Sequence, residues 1–159
     1  MLYTEYQSPI GKLLLAASER GLAGVYFEEH RHFKGMDGWL RDDDHSVLQQ
    51  TQSQLADYFA GNRREFDLPL DLSGGTAFQQ SVWKALRTLA FGSTASYLHI
   101  AKSVGNPGAV RAVGAANGRN PISIIVPCRR VIASSGALTG YAGGLDNKKI
   151  LLALEARLN

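Results

Sequence analysis

The chain has 159 residues, 45% of them hydrophobic, and carries 17 Lys and Arg against 14 Asp and Glu, a formal net charge of +3. That length and composition suffice for a core in one domain or two small ones without a covalent staple. A single cysteine excludes an internal disulfide and a cysteine-based zinc site, and the absence of a signal-like segment or a run of about 18 apolar residues leads us to expect a cytoplasmic protein with no membrane association.

Taken in chain order, LYTEY, KLLLAAS and LAGVYFE are short apolar runs separated by SPIG and ERG, the pattern of an antiparallel meander. Residues 30 to 45 read as polar loop, in which His30 and His32 are expected to be two exposed imidazoles rather than a metal pair. Leu48, Thr51, Leu55, Tyr58 and Phe59 then recur at helical spacing until Gly61, and the acid run Asp42 to Asp44 sits where a helix dipole favours it. This half, residues 1–75, reads as a small α/β domain with an antiparallel sheet. The stretch DLSGGT at 71 to 76 reads as the linker.

The two halves differ in charge. Residues 1–75 hold 7 Lys and Arg and 12 Asp and Glu, minus 5; residues 76–159 hold 10 and 2, plus 8. Such a basic half fits a polyanion partner, although small basic domains also carry this charge without one. In it, TAFQ forms a capping box of Thr76 and Gln79, and Phe78, Val82, Leu86 and Leu89 place a stripe along a helix expected to end near Gly92. A second helix is expected from a Ser93 or Thr94 cap, with Tyr97, Ile100, Ala101 and Val104 inward, closed by Gly105. Asn106 and Pro107 suit the start of a third. Two short helices joined through a glycine make a helix-turn-helix.

The helix PGAVRAVGAANG is smooth: from Pro107 to Ala116 every side chain except Arg111 is small or a valine. Glycines there cost about 1 kcal/mol each relative to alanine, so some close approach must offset them. Tight core packing and the groove of a duplex are both such approaches, and the one projecting arginine favours the second. The remainder, NGRNPISIIVPCRRVIASSGALTGYAGGLDNKKILLALE, combines a strand, Cys128, a Gly and Ser turn, a YAGG loop and a last helix. Within that helix Glu155, four after Leu151, places a carboxylate on an apolar face, and a buried charge needs a partner.

The order of Ser96-Tyr97, RAVGAANG, Asn120-Pro121, Pro127-Cys128, SSGALTGYAGG and Glu155 resembles the O6-alkylguanine-DNA alkyltransferases, over residues 76 to 158. The first half is similar to that family's variable α/β domain. The resemblance implies an α/β domain followed by a mainly helical, winged-helix-like domain at 76–159. It implies a monomer without cofactor or metal whose partner is double-stranded DNA containing O6-alkylguanine, and whose cysteine takes the alkyl group once and irreversibly. Transfer to sulfur needs a thiolate, and extrusion of a base needs a pocket and a wedge.

By the same resemblance Cys128 is the acceptor at the floor of a cavity, and Arg111 replaces the extruded base. Tyr97 supports guanine and phosphate, and Asn120 orients the site. Asn106, Ala112, Ala115 and Ser134 contact DNA, while Val126, Pro127, Tyr141, Ala142 and Gly143 wall the pocket. Arg129 and Glu155 complete the catalytic set, with one departure: the chain reads PCRRV where the family reads PCHRV. A guanidinium cannot accept a proton, though its charge lowers a nearby thiol pKa. Slow transfer, an inactive nucleophile on a lesion-binding protein, and an Arg129–Glu155 ion pair that only holds the fold all stay open, as does the weaker reading of a transcription regulator. Leu98 is a second departure, beside the phosphate-contacting tyrosine.

Overall fold

The computed structural model describes residues 1–28, 33–136, 141 and 143–158. Strands β1 (Leu2–Ser8), β2 (Gly11–Ser18) and β3 (Gly21–Phe27) form the expected antiparallel meander. Alternation along β2 buries Leu13, Leu15 and Ala17 completely or almost so. Gly21 has φ +145°, and a Cβ there would run into the backbone of Pro69. A two-residue strand, β4 (Leu40–Arg41), adds parallel to β1 from within the stretch expected to be loop. His30 and His32 lie outside the described residues.

Helix α1 (Ser46–Phe59) covers the sheet with Leu48, Thr51, Leu55 and Tyr58. The acids do not serve its dipole, because the cap is His45 and the first turn holds no acidic residue. Asp43 instead accepts from the Thr4 hydroxyl at 2.6 Å and from Arg41 Nε at 2.9 Å, strapping the sheet edge.

The free edge of β3 is closed by later parts of the chain. Leu22 N donates to Pro69 O (2.8 Å) and Val25 N donates to Pro121 O (2.9 Å). The second of these bonds fixes the segment that leads to Cys128.

The capping box opens α2 (Ala77–Leu86): Gln79 N donates to Thr76 Oγ1 (3.1 Å) and Thr76 N donates to Gln79 Oε1 (2.9 Å). The helix stops at Leu86, short of Gly92, because Thr88 and Leu89 bond three residues back, to Ala85 O (3.1 Å) and Leu86 O (3.0 Å). Helix α3 (Tyr97–Ser103) is capped by Ser96, whose hydroxyl accepts from His99 N at 3.0 Å, and not by Ser93 or Thr94. Ala95–Ser96 is held extended as β5, paired with β6 (Val131–Ile132) just after the cysteine, so helix cannot begin earlier.

Gly105, at φ +77°, closes α3. Asn106 and Pro107 belong to the connecting turn rather than to the next helix: Ala109 N donates to Asn106 O at 3.0 Å, and α4 spans Val110–Gly118. Helix α5 (Leu145–Leu158) ends the described chain. The molecule is therefore an α/β sheet domain followed by a mainly helical domain that carries a helix-turn-helix, α3 and α4. One continuous core runs through both, from Leu13 and Leu55 through Trp83, Ile100 and Val113 to Leu151.

Replacing Thr76 by alanine removes half of the capping box and is expected to lower stability by about 1 kcal/mol in urea unfolding, with an unchanged slope.

Candidate active site

The segment expected as a strand before the cysteine is a compact turn. Ile125 N donates to Ser123 O (2.9 Å), Val126 N to Ile122 O (3.0 Å) and Cys128 N to Val126 O (2.8 Å). Asn120, 1% exposed, staples that turn: its Nδ2 donates to Val126 O at 2.9 Å and its Oδ1 accepts from Ile122 N at 3.0 Å. Ile124 inside it has φ +73°, an uncommon conformation for a β-branched residue, and its carbonyl accepts from Arg129 Nη1 at 2.7 Å. Cys128 opens a short 3-10 turn, Cys128–Arg130, and is 3% exposed.

Beside it lies a buried ion cluster. Arg129, 0% exposed, donates from Nε to Glu155 Oε2 at 2.7 Å and from Nη2 to the same oxygen, while Arg130 Nε donates to Oε1 at 2.8 Å. The Tyr58 hydroxyl, from α1, donates to Oε2 at 2.6 Å. Burial alone pushes the Glu155 carboxyl up, but the Arg129 charge and the hydrogen bonds from Arg130 and Tyr58 prevail and bring it from 4.5 down to about 2. Burial likewise pulls the Arg129 guanidinium down, and Tyr58 and Glu155 more than offset that.

Burial raises the Cys128 thiol pKa, against the opposing pull of the Asn120 hydrogen bond and of the Arg129 and Lys148 charges. Lys148 is buried on α5, on the Glu155 face, with Nζ donating to Val131 O at 2.8 Å; burial lowers its pKa, and Cys128 opposes this. The resting thiol is therefore protonated at neutral pH, and Arg129 acts on it as a charge while its donors are committed to Glu155 and Ile124.

Near the cysteine turn, Asn117 Oδ1 is buried and has no hydrogen-bond partner among the described residues. Asn117 sits in the last turn of α4, and its Nδ2 donates to the carbonyl of Cys128 at 3.3 Å. Leaving a buried polar group unpaired costs about 1–3 kcal/mol. Tyr141, whose pKa burial and then the neighbouring Cys128 push well up, packs edge-on against Phe27 at 5.9 Å. A Cβ at Gly143 would collide with the rings of Phe27 and Tyr141, so only glycine fits there.

The remaining expected site residues fall into two groups. Arg111, Ala112 and Ala115 are exposed along one side of α4, Asn106 is exposed in the turn before it, and Ser134 is exposed after β6. Tyr97, half-buried at the start of α3, faces Gly114, where an added Cβ would meet the ring only at 3.9 Å. Core packing does not therefore require that glycine. Val126 is fully buried, and Pro127 turns into a cavity of about 360 Å³ shared with Leu89, Phe91, Ile125 and Arg130. Ala142 lies outside the described residues.

Sequence reasoning missed Tyr58, Arg130, Lys148 and Asn117. Lys148 was legible, since it shares the face of Leu151 and Glu155 at steps of three and four; Asn117 likewise follows Val113 by four on the buried face of α4. The roles of Tyr58 and Arg130 carried no such signal.

Comparison with known proteins places this fold in a family. The 6-O-methylguanine DNA methyltransferase DNA binding domain matches residues 77–157, and the ribonuclease-like domain of the same proteins matches residues 1–72. The chain belongs to this family. A methylated-DNA–protein-cysteine methyltransferase of Methanosarcina acetivorans is 49% identical over 156 residues, covering 98% of each chain. One from Mycobacterium tuberculosis is 50% identical over 153 residues, 96% of this chain and 91% of the relative. The crystal structure of Mycobacterium tuberculosis OGT in complex with DNA superposes with a TM-score of 0.91 at 48% identity, covering 99% of this chain and 94% of that one. The Arg129–Glu155 ion pair named among the outcomes of the PCRRV departure is present in the structure.

Glu155→Gln leaves two buried guanidiniums without a counter-charge, and we expect a loss of about 3–5 kcal/mol in urea unfolding. The wild-type carboxyl is depressed when folded, so the unfolded chain takes up the proton first. Its stabilisation is whole above about 4.5 and is lost as pH falls toward about 2. Thermal melts against pH are expected to show this acid limb in the wild type and a shallower one in Glu155→Gln.

Proposed function

We propose that the protein is a monomeric DNA repair methyltransferase that moves the alkyl group of O6-alkylguanine in double-stranded DNA onto Cys128. The observation that carries this reading is the placement of the chain's one cysteine directly behind the helix-turn-helix, tied through its own carbonyl to Asn117 of α4. Residues 1–75 form the supporting sheet domain, and residues 76–159 the domain that binds DNA and accepts the alkyl group. The exposed side of α4, with small residues and Arg111, enters the minor groove. Arg111 fills the gap left by the extruded base, and Tyr97 supports the base and its phosphate.

In the transfer step the sulfur–carbon bond forms as the carbon–oxygen bond breaks. The guanine leaves with the electron pair and ends with the proton the thiol gave up. The thiol is 3% exposed, so the base reaches it only as the side chains around it part. Asn120 holds the turn that aims the sulfur, and Tyr141 and Gly143 wall the base.

Exposure to a duplex with O6-methylguanine is expected to raise the protein mass by one methyl, located on Cys128. Tight lesion binding without that gain is the result that overturns transfer and leaves a lesion-binding protein. Because burial raises the thiol pKa, the single-turnover rate should climb as pH rises above neutrality, where thiolate becomes available. Arg129→His supplies a group able to accept the proton, and it should raise the rate near neutral pH and flatten that climb.

A further inference from the structure

We propose that Phe27, in the first domain, is a positioning residue that limits the size of the alkyl group the protein can take, because it fills the space beside Tyr141. This deepens the proposed function and rests on its reading of Tyr141 and Gly143 as the wall of the pocket. Phe27 is the last residue of β3 and 6% exposed, and its backbone is held by pairing with Leu13, which is fully buried. Its ring meets Tyr141 edge-on, with centroids 5.9 Å apart and planes at 68°. The Tyr141 hydroxyl in turn interacts with the Cys128 thiol. A strand of the sheet domain therefore reaches the cysteine through one intervening ring.

The turn that carries the wall is stiff within itself. Gly144 N donates to Tyr141 O at 2.9 Å, and Asn147 Nδ2 donates to Gly143 O at 2.8 Å, which ties the turn to the start of α5. Such a turn yields as a unit, into whatever room its neighbours leave. Against Phe27 there is none, since even a Cβ on Gly143 would collide with the Phe27 and Tyr141 rings. Room does lie next to Phe27: a cavity of about 190 Å³ is bordered by Ile10, Lys12, Glu28 and Asn147 as well as by Phe27 and Gly143. Because Phe27 touches both Tyr141 and this cavity, shortening its side chain opens ring-sized space beside Tyr141 and joins it to the cavity. The wall can then withdraw further from Cys128, and a bulkier group fits between them.

The test uses the full chain and a pair of readouts. The first is single-turnover transfer from duplexes containing O6-methylguanine or O6-benzylguanine. Phe27→Ala is expected to raise the benzyl-to-methyl rate ratio about tenfold over the wild type, and Phe27→Leu, the milder change should alanine unfold the sheet, about threefold. The second readout needs no DNA: Cys128 is the one cysteine of the chain, so its modification by iodoacetamide and by the bulkier N-phenylmaleimide is read from the protein mass. The maleimide-to-iodoacetamide rate ratio is expected to rise in the same order. A purely structural role for Phe27 lowers both rates of a pair alike, so an unchanged benzyl-to-methyl ratio in variants that still transfer methyl overturns the proposal. If neither duplex transfers to any form of the protein, the reagent ratio decides. A rise then removes the transfer reading and keeps Phe27 as the gauge of the space at Cys128, and no rise overturns both.

Discussion

A single carboxylate organises this protein. Glu155 accepts hydrogen bonds from Arg129 and Arg130 on the cysteine turn and from Tyr58 on the helix that backs the sheet, so one side chain joins α5, the active-site turn and the first domain. An ion group this deep is retained because removing one member strands the others in a medium that solvates them poorly. The cluster also holds the carbonyl of Ile124, whose left-handed backbone would otherwise relax, and so it keeps Cys128 at a fixed place.

The same cluster sets the electrical environment of the thiol. Two guanidiniums and one carboxylate leave an excess positive charge beside Cys128, to which Lys148 adds. Positive surroundings favour thiolate, burial favours thiol, and here burial prevails in the resting protein. The family's usual histidine would provide a proton acceptor at this point, and Arg129 provides charge and rigidity. Asn120 and Asn117 then divide the amide work: one pins the turn that carries the sulfur, and the other pairs with the Cys128 carbonyl.

The helix-turn-helix is built for close approach more than for side-chain readout. Val113, Ala116 and Asn117 anchor α4 in the core, while Val110, Arg111, Ala112 and Ala115 are exposed. Trp83 Nε1 donates to Ala116 O at 2.8 Å and fixes the end of the helix nearest the cysteine. A smooth face with one cation suits a groove wall, where shape and charge count and base edges offer little code.

Much of this was legible in the residues. Period-two runs gave the meander, the Thr76 and Gln79 pair gave the start of α2, and the order of short motifs around Cys128 gave the family, because local backbone preferences and spacing are written in neighbouring residues. The stops and starts were read less well. Helix α2 ends early and α3 begins late because the turn after Leu86 tightens and because β5 pairs with β6 across the fold, both outside the reach of local pattern. The sequence alone determined which residues could do chemistry: one cysteine, an arginine in place of a histidine, and a carboxylate on an apolar face. Only the tertiary structure decided that Arg130 and Tyr58 share that carboxylate and that Asn117 is left with an open oxygen, since a hydrogen bond between residues distant in sequence depends on three-dimensional proximity that no local periodicity encodes.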